Sequence, residues 1–151
     1  MTLPRLIAGA GGIGRFPWAP GTLASLVAAV AGAALLHASP WLLAVAAVAA
    51  TLAGIWAIGA AGAGEADPGW VVIDEVAGQW ITLLALPRPT AWGVAAAFLL
   101  FRLLDIAKPG PIGWADRRHG ALAVMGDDVI AGIVGAAALL AARALFPGAL
   151  D

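Results

Sequence analysis

The chain lacks cysteine and carries few charges. With no cysteine in 151 residues, disulfide bonds and thiolate chemistry are excluded, and the redox compartment cannot be inferred. Charged residues make up only 11% of the chain and the net charge is −1, so there is no basic surface for nucleic acid and no nucleic-acid partner is expected. No Asp, Glu, Lys or Arg occurs between Phe16 and Gly64. So little charge is far outside the range of a soluble domain.

Hydrophobic residues dominate instead. They make up 62% of the sequence, and the uncharged stretch holds two apolar segments, residues 22–37 and 41–63, separated by Ser39-Pro40. Each segment has close to the roughly 20 residues that a helix needs to cross a bilayer. The length suits one domain over residues 1–151. The sequence therefore predicts an integral membrane protein with the lipid bilayer as its surroundings.

Turn and cap signals divide the chain into about five helices, which predicts an all-α polytopic membrane bundle. Thr22, Asp67 with Pro68, and Asp127 have the side chains expected at helix starts. Pro109 disfavours helix at Lys108 and so predicts the end of the fourth helix. The predicted helices cover residues 22–37, 41–63, 68–86, 90–107 and 127–146, and a charged loop covers 110–126.

The acidic residues are concentrated in the second half of the chain, where eight of nine lie between Glu65 and Asp128. Because short connections make successive helices antiparallel, the charged clusters are expected at one face of the membrane. That face would also hold most of the basic residues, namely Arg5, Arg15, Lys108, Arg117 and Arg118. Arg88 and Arg143 fall on the other face. The excess of positive charge predicts that the charged face is cytoplasmic.

The first cluster is Asp74-Glu75, predicted to lie about 10 Å inside the third helix. Acids near a helix start can complement the helix dipole, which is the structural interpretation. The functional interpretation is a metal ligand or a general base, because carboxylates inside a membrane segment are costly and usually functional. Gly78, one turn further, would allow a neighbouring helix to approach closely.

The second cluster is Arg102, Asp105 and Lys108, whose spacing of three residues places them on one helix face. One interpretation is an ion pair whose long side chains reach the membrane interface. The other is a phosphate site, in which the acid holds Mg²⁺ and the cations bind phosphate oxygens.

The third cluster is Asp127-Asp128. Capping of the last helix explains one aspartate, but two adjacent carboxylates repel each other unless a cation or a shared proton neutralises them. In the preceding loop, Asp116, Arg117 and Arg118 have the composition of a solvated charge run.

The glycine-rich stretch from Gly9 to Gly14 is a separate feature. It follows no predicted strand and precedes no Gly-Lys-Ser/Thr, so neither common phosphate-loop fingerprint is present.

Together these motifs resemble the phosphatidylglycerophosphatase A family. The resemblance covers nearly the whole chain in the family's order, through the segments 19–22, 73–81, 101–109 with 111–112, 116–118 and 125–132. The family's residues match at Thr22, Asp74, Glu75, Arg102, Asp105, Lys108, Pro109, Asp116, Asp127 and Asp128. The chain departs from the family at Gly110, where an aromatic residue is common, and in the loop 120–123.

The resemblance implies a Mg²⁺-dependent lipid phosphatase of the bacterial inner membrane, with its site on the cytoplasmic face. Its phospholipid substrate would be phosphatidylglycerophosphate, converted to phosphatidylglycerol and phosphate. The implied metal ligands are Asp74, Asp105, Asp127 and Asp128, which with Glu75 form the catalytic set. Glu75 would be a further ligand or the base that orients water. The implied substrate-binding residues are Thr22, Arg102, Lys108 and Arg117.

Other functional classes fit the sequence less well. The motifs of CDP-alcohol phosphotransferases, of lipid phosphatases with a histidine nucleophile and of aspartyl-phosphate phosphatases are all absent. The main alternative is a small membrane bundle that binds or transports a cation through the same acids, although transporter sites usually lie near the bilayer midplane. The sequence leaves open the oligomeric state, the number of metals and the choice between a phospho-enzyme and direct attack by water.

Overall fold

The computed structural model describes residues 1–65, 68–148 and 150, and within these ranges the chain is helical with no strand. Its seven α-helices are α1 (Leu3–Ala8), α2 (Pro20–Ala38), α3 (Pro40–Ala60), α4 (Ile73–Leu83), α5 (Ala91–Ala107), α6 (Pro111–Asp116) and α7 (Ala121–Leu145). A 3-10 segment, Ala10–Arg15, follows α1. The predicted all-α class is confirmed. The short elements α1, α6 and the 3-10 segment add to the five helices expected.

Three helices, α2, α3 and α7, are long and apolar enough to cross a membrane. Large apolar side chains also cover the outside of the bundle. Examples that are more than half exposed are Val30, Val45, Val48, Leu52, Leu99, Leu103, Ile133 and Leu140. An apolar exterior around an apolar interior suits a solvent of lipid chains, so the structure agrees with the expected membrane protein.

Helix α4 is shorter than expected. It has 11 residues, which span about 16 Å and cannot cross a hydrocarbon core of roughly 30 Å. Of the predicted start signal, Asp67 lies outside the described residues and Pro68 lies outside the helix. The expected depth of Asp74 was therefore wrong, because Asp74 and Glu75 lie in the first turn. The preceding backbone is held instead by a tertiary contact, in which the Val72 N–H donates to the Ala8 carbonyl at 2.9 Å.

Helix α4 packs against α2, α3, α5 and α7, so protein surrounds it. Its approach to α7 is close because two glycines face each other. A Cβ on Gly132 would lie 2.5 Å from the Gly78 carbonyl oxygen, and one on Gly78 would lie 2.5 Å from the Asp128 carbonyl oxygen. The predicted role of Gly78 in helix approach is confirmed. This contact brings Asp128 beside the start of α4.

Helix α5 follows its sequence signals closely. Thr90 caps it by accepting a hydrogen bond from the Gly93 N–H at 3.2 Å, and the helix ends at Ala107 as the following proline predicts.

Helix α2 starts earlier than predicted. Its N-cap is Ala19, in the left-handed region at φ 48°, and Pro20 takes the first helical position, so Thr22 lies inside the helix and is not its cap.

The start of α7 was also placed wrongly. The helix begins at Ala121 after Gly120, so Asp127 and Asp128 lie in its second turn and Asp127 caps nothing. Much of the predicted loop 110–126 is therefore helical, in α6 and at the start of α7. The physical reason is packing, since Met125 is fully buried against Ile58 of α3 and Ile73 of α4. Val124 and Ala121 belong to the same apolar cluster, so this packing stabilises a helix start that carries no capping signal in its sequence.

Candidate active site

Four helices bring charged residues to one end of the bundle. The start of α2, the start of α4, the end of α5 and the second turn of α7 enclose a cavity of about 270 Å³, here called the carboxylate cavity. Its polar lining residues are Thr22, Asp74, Glu75, Arg102, Asp105, Lys108, Asp127 and Asp128. Clusters that are far apart in sequence therefore meet, as the antiparallel arrangement predicted.

The carboxylates form two overlapping groups. Oxygens of Asp74, Glu75 and Asp128 lie within 4.8 Å of one another, and so do oxygens of Asp105, Asp127 and Asp128. Asp128 belongs to both groups and is only 3% exposed. Burial and mutual repulsion both disfavour the charged forms of such carboxylates. The grouping therefore needs cations or protons to balance it.

Arg102 supplies one of these cations. Its Nη1 donates to the Asp105 carboxylate at 2.5 Å and lies 3.9 Å from Glu75 Oε1. Its other guanidinium contacts are hydroxyls of α2, because Nη1 also donates to Ser25 Oγ at 3.4 Å and Nη2 donates to Thr22 Oγ1 at 3.3 Å. The guanidinium is thus held between α2 and two carboxylates on α4 and α5.

Lys108 supplies the second cation. Its Nζ donates to Asp127 at 2.5 Å and to Asp116 at 2.6 Å, so it joins α5 to α6 and α7. Partial burial disfavours the ammonium charge, but the hydrogen bonds to Asp116 and Asp127 outweigh this effect and raise the pKa of Lys108 above its ordinary value. Lys108 is therefore a permanent cation at neutral pH.

The residues present fit a divalent cation. Five carboxylates face two cations in the carboxylate cavity, which leaves an excess of negative charge. One buried acceptor, Glu75 Oε2, has no hydrogen-bond partner among the described residues. Carboxylate oxygens are the protein ligands that Mg²⁺ prefers. A cation of this type would balance the charge that Arg102 and Lys108 leave uncompensated.

Backbone contacts position Glu75. A Cβ on Gly21, in the first turn of α2, would collide with Glu75 Oε1, so the carboxylate packs directly on the α2 backbone. The sequence did not predict this contact, nor did it predict that Ser25 binds Arg102. Ser25 donates to the Gly21 carbonyl at 2.9 Å while it accepts from Arg102. Its spacing of three residues from Thr22 placed it on the same helix face and was the available signal.

One predicted substrate-binding residue lies elsewhere. Arg117 is exposed and lines a different cavity, together with Trp114 and Arg118. Asp116 is also exposed and reaches the carboxylate cavity only through its hydrogen bond to Lys108. Arg118 lies with its guanidinium 3.9 Å from the centre of the Trp114 ring. Arg117 therefore lies apart from the buried carboxylates, whereas Asp116 and Arg118 line a small cavity that they share with Asp127.

Comparison with known proteins gives this geometry its context. The phosphatidylglycerophosphatase A family matches residues 6–143. The chain belongs to this family. It is accordingly an enzyme of the phosphatase class, and the matched residues include every lining residue of the carboxylate cavity.

The individual relatives are also named as lipid phosphatases. Phosphatidylglycerophosphatase A of Escherichia coli is 41% identical over 132 residues, which cover 85% of this chain and 76% of the relative. Phosphatidylglycerophosphatase A of Haemophilus influenzae is 42% identical over 71 residues, which cover 46% of this chain and 44% of the relative. A Bacteroides thetaiotaomicron protein named as a candidate phosphatidylinositol-3-phosphatase is 43% identical over 140 residues, which cover 87% of each chain. No solved structure matches significantly.

Proposed function

We propose that the protein hydrolyses the terminal phosphomonoester of phosphatidylglycerophosphate, giving phosphatidylglycerol and inorganic phosphate. The single observation that carries the proposal is the buried carboxylate cavity, with its two cations, at one end of three apolar helices. Such a site suits a phosphate group carried on a lipid, because the helices hold acyl chains while the headgroup reaches the acids. The named activity of the Escherichia coli relative supports the substrate.

The proposed metal ligands are Asp74, Asp105, Asp127 and Asp128, and the proposed metal is Mg²⁺. Bound there, Mg²⁺ would polarise the phosphoryl group and lower the pKa of a water molecule. Support comes from the two overlapping carboxylate groups and from the depth of their burial. Asp128 belongs to both groups and is the residue that would tie them together.

Glu75 is the proposed general base. Its Oε1 is oriented by Arg102 and by the close backbone of Gly21, whereas Oε2 is buried and accepts no hydrogen bond from the described residues. An oriented carboxylate with one free oxygen is suited to accept the proton of an attacking water. As the water oxygen attacks phosphorus, its proton passes to Glu75 and the bond to the glycerol oxygen breaks. The same proton then passes from Glu75 to the departing glycerol oxygen, which gives the alcohol.

Arg102, Lys108 and Thr22 are the proposed phosphate-binding residues. The planar guanidinium of Arg102 donates in a fork that matches phosphate oxygens, and Lys108 adds a second positive charge. Thr22 lines the same cavity and already accepts from Arg102, so its hydroxyl hydrogen is available to a ligand. These groups would neutralise the negative charge that the phosphate adds to an acidic cavity.

The site is proposed to face the cytoplasm of a bacterial inner membrane. The N-terminal segment and α6 bring Arg5, Arg15, Arg117 and Arg118 to the end that holds the carboxylate cavity, and Arg88 lies in the turn at the opposite end of α4. This asymmetry has the sign of the positive-inside rule. The alternative of a cation-transporting bundle is less well supported, because the acids occupy one end of the helices and do not follow a path along them.

A substrate panel tests the proposal. Phosphate release would be measured from phosphatidylglycerophosphate, phosphatidylinositol 3-phosphate, phosphatidate and a soluble phosphomonoester, each with Mg²⁺ and with EDTA. We expect the highest kcat/KM on phosphatidylglycerophosphate and none with EDTA. The phosphatidylinositol 3-phosphate arm is included because of the Bacteroides relative. Equal rates on all four compounds, or full activity in EDTA, would contradict the proposal.

A further inference from the structure

A second cavity lies at the same end of the bundle, and none of its described lining residues is a carboxylate. It has a volume of about 690 Å³ and is lined by Arg5, Arg15 and Trp70 and by the backbone of Gly9 and Gly12, among others. We call it the arginine cavity. Its neighbour along the chain is the carboxylate cavity, since Gly69 and Val71 on either side of Trp70 line that one. The two cavities have no lining residue in common.

The fold holds the arginine cavity in place through the glycine-rich stretch. A Cβ on Gly14 would collide with the Trp70 carbonyl oxygen, so the two backbones are in direct contact. Gly11 and Gly12 have φ values of 73° and 109°, which a residue with a side chain rarely adopts. The glycine-rich stretch, which lacks both phosphate-loop fingerprints, therefore has a structural role. It turns the chain between α1 and α2 so that Arg5 and Arg15 reach one cavity.

The two arginines of this cavity, Arg5 and Arg15, form no ion pair with any described residue. The Arg5 guanidinium lies 5.8 Å from the centre of the Trp70 ring, within the range of a cation–π contact. Two unpaired guanidinium groups at one cavity favour an anion, and phosphate oxygens match their geometry.

Apolar side chains on the same segment define the rest of the ligand. Leu3, Leu6, Phe16 and Trp18 are exposed by 61%, 40%, 44% and 77% of their surface. Exposed aromatic and aliphatic side chains next to arginines are typical of protein segments that lie in a membrane interface. A free phosphate ion would contact the arginines alone, whereas a phospholipid would contact both sets of residues.

We propose that the arginine cavity binds the headgroup phosphate of an anionic phospholipid, whose acyl chains lie against the exposed apolar residues of the N-terminal segment. This site is separate from the carboxylate cavity and does not depend on the reaction proposed for it. Its position would keep an anionic lipid bound beside Trp70, whose neighbours Gly69 and Val71 line the carboxylate cavity.

Lipid titration of the purified full-length protein in a neutral detergent tests this site, with native mass spectrometry as the readout. The probes are phosphatidylserine, phosphatidylcholine and inorganic phosphate. Phosphatidylserine is an anionic diacyl lipid that is neither substrate nor product of the proposed reaction. The variants are Arg5→Gln, Arg15→Gln and the double variant. Arg88→Gln is the matched control, because Arg88 is exposed and lies at the other end of the bundle.

We expect the double variant to bind phosphatidylserine about tenfold more weakly than the wild type, because two cations near the lipid phosphate are lost. Arg88→Gln should change the affinity by less than about twofold, since a distant exposed charge is screened. The wild type should prefer phosphatidylserine to phosphatidylcholine and to inorganic phosphate. Thermal melting would verify that each variant is folded.

Three results would overturn the proposal. They are equal binding of phosphatidylserine and phosphatidylcholine, equal losses in Arg88→Gln and in the arginine-cavity variants, and tight binding of inorganic phosphate alone. A Glu75→Gln variant separates this site from the proposed reaction. It should retain phosphatidylserine binding even where phosphate release is lost, so failure of one proposal does not imply failure of the other.

Discussion

The two ends of α4 face opposite environments. At its start, Asp74 and Glu75 meet the carboxylates of α5 and α7 and the guanidinium of Arg102. At its end, Leu83 is fully buried in an apolar cluster with leucines of α2, α3 and α7, namely Leu36, Leu43 and Leu139. One helix of 11 residues thus joins a charged cavity to an apolar core.

The difference shows how charged side chains are accommodated inside an otherwise apolar bundle. Helix α4 is covered by α2, α3, α5 and α7, so its acidic side chains face other groups of the protein and not lipid. Polar groups in a bilayer are tolerated where protein encloses them. We therefore expect changes at the start of α4 to reduce activity with little effect on stability, and changes at its end to do the reverse.

The largest effect is expected at the start of α4, from Glu75→Gln. The substitution keeps the size of the side chain but removes its charge and its basicity. Phosphate release should fall by about a thousandfold, within the range lost with a general base. The thermal midpoint should stay the same or rise, because a neutral amide replaces a carboxyl whose charged form burial and the neighbouring acids disfavour. Activity within tenfold of the wild type would show that Glu75 is not the base.

In the middle of α4, Gly78→Ala should reduce both activity and stability. The added Cβ would lie 2.5 Å from the Asp128 carbonyl oxygen and 2.5 Å from the Phe101 ring, so α7 must move. Overpacking of this kind costs about 1–3 kcal/mol. In the matched control, Gly59→Ala in α3, the nearest atom would be 3.8 Å away, which is ordinary contact. Equal melting losses in both variants would contradict the close approach of α4 and α7.

At the end of α4, Leu83→Ala should reduce stability but leave the chemistry intact. Leu83 is fully buried, and truncation of such a side chain costs about 2–5 kcal/mol in well-packed interiors. Leu84 is 37% exposed and provides the control, because Leu84→Ala should cost much less. Melting in detergent would measure both, and kcat at a temperature where both are folded should match the wild type. A loss of kcat in folded Leu83→Ala that Leu84→Ala does not show would contradict the expectation that the end of α4 affects stability and not activity.

Gln79→Met, between the two environments, is the change expected to raise stability. Gln79 is fully buried, and neither atom of its amide has a hydrogen-bond partner among the described residues. Leaving such a group unpaired costs about 1–3 kcal/mol, so a methionine of similar shape should raise the melting temperature. A lower melting temperature would mean that the amide is bonded in the native protein and that the polar environment extends further along α4.

The sequence predicted the meeting of the carboxylates better than it predicted helix starts. Alternating helix directions were enough to bring Asp74, Asp105 and Asp128 together, because short connections leave little choice. Helix α5 was placed almost to the residue, since Thr90 and Pro109 act locally. Local signals were sufficient wherever no distant segment competed with them.

Helix starts that depend on distant contacts were missed. The start of α4 is set by the hydrogen bond from Val72 to Ala8, some 60 residues away along the chain. The start of α7 is set by the packing of Met125 on α3 and α4. Asp127 looked like a cap because aspartate favours that position, but its carboxylate accepts from Lys108. In both cases tertiary contacts decided the boundary.

The most direct test of the central claim is phosphate release by Asp105→Asn with Mg²⁺ present. Asparagine keeps the size and the contact with Arg102 but removes one carboxylate from the group that includes Asp127 and Asp128. The account predicts that the folded variant releases phosphate from phosphatidylglycerophosphate no faster than the wild type does in EDTA. Near-normal Mg²⁺-dependent release by a folded Asp105→Asn protein would contradict the proposed metal site.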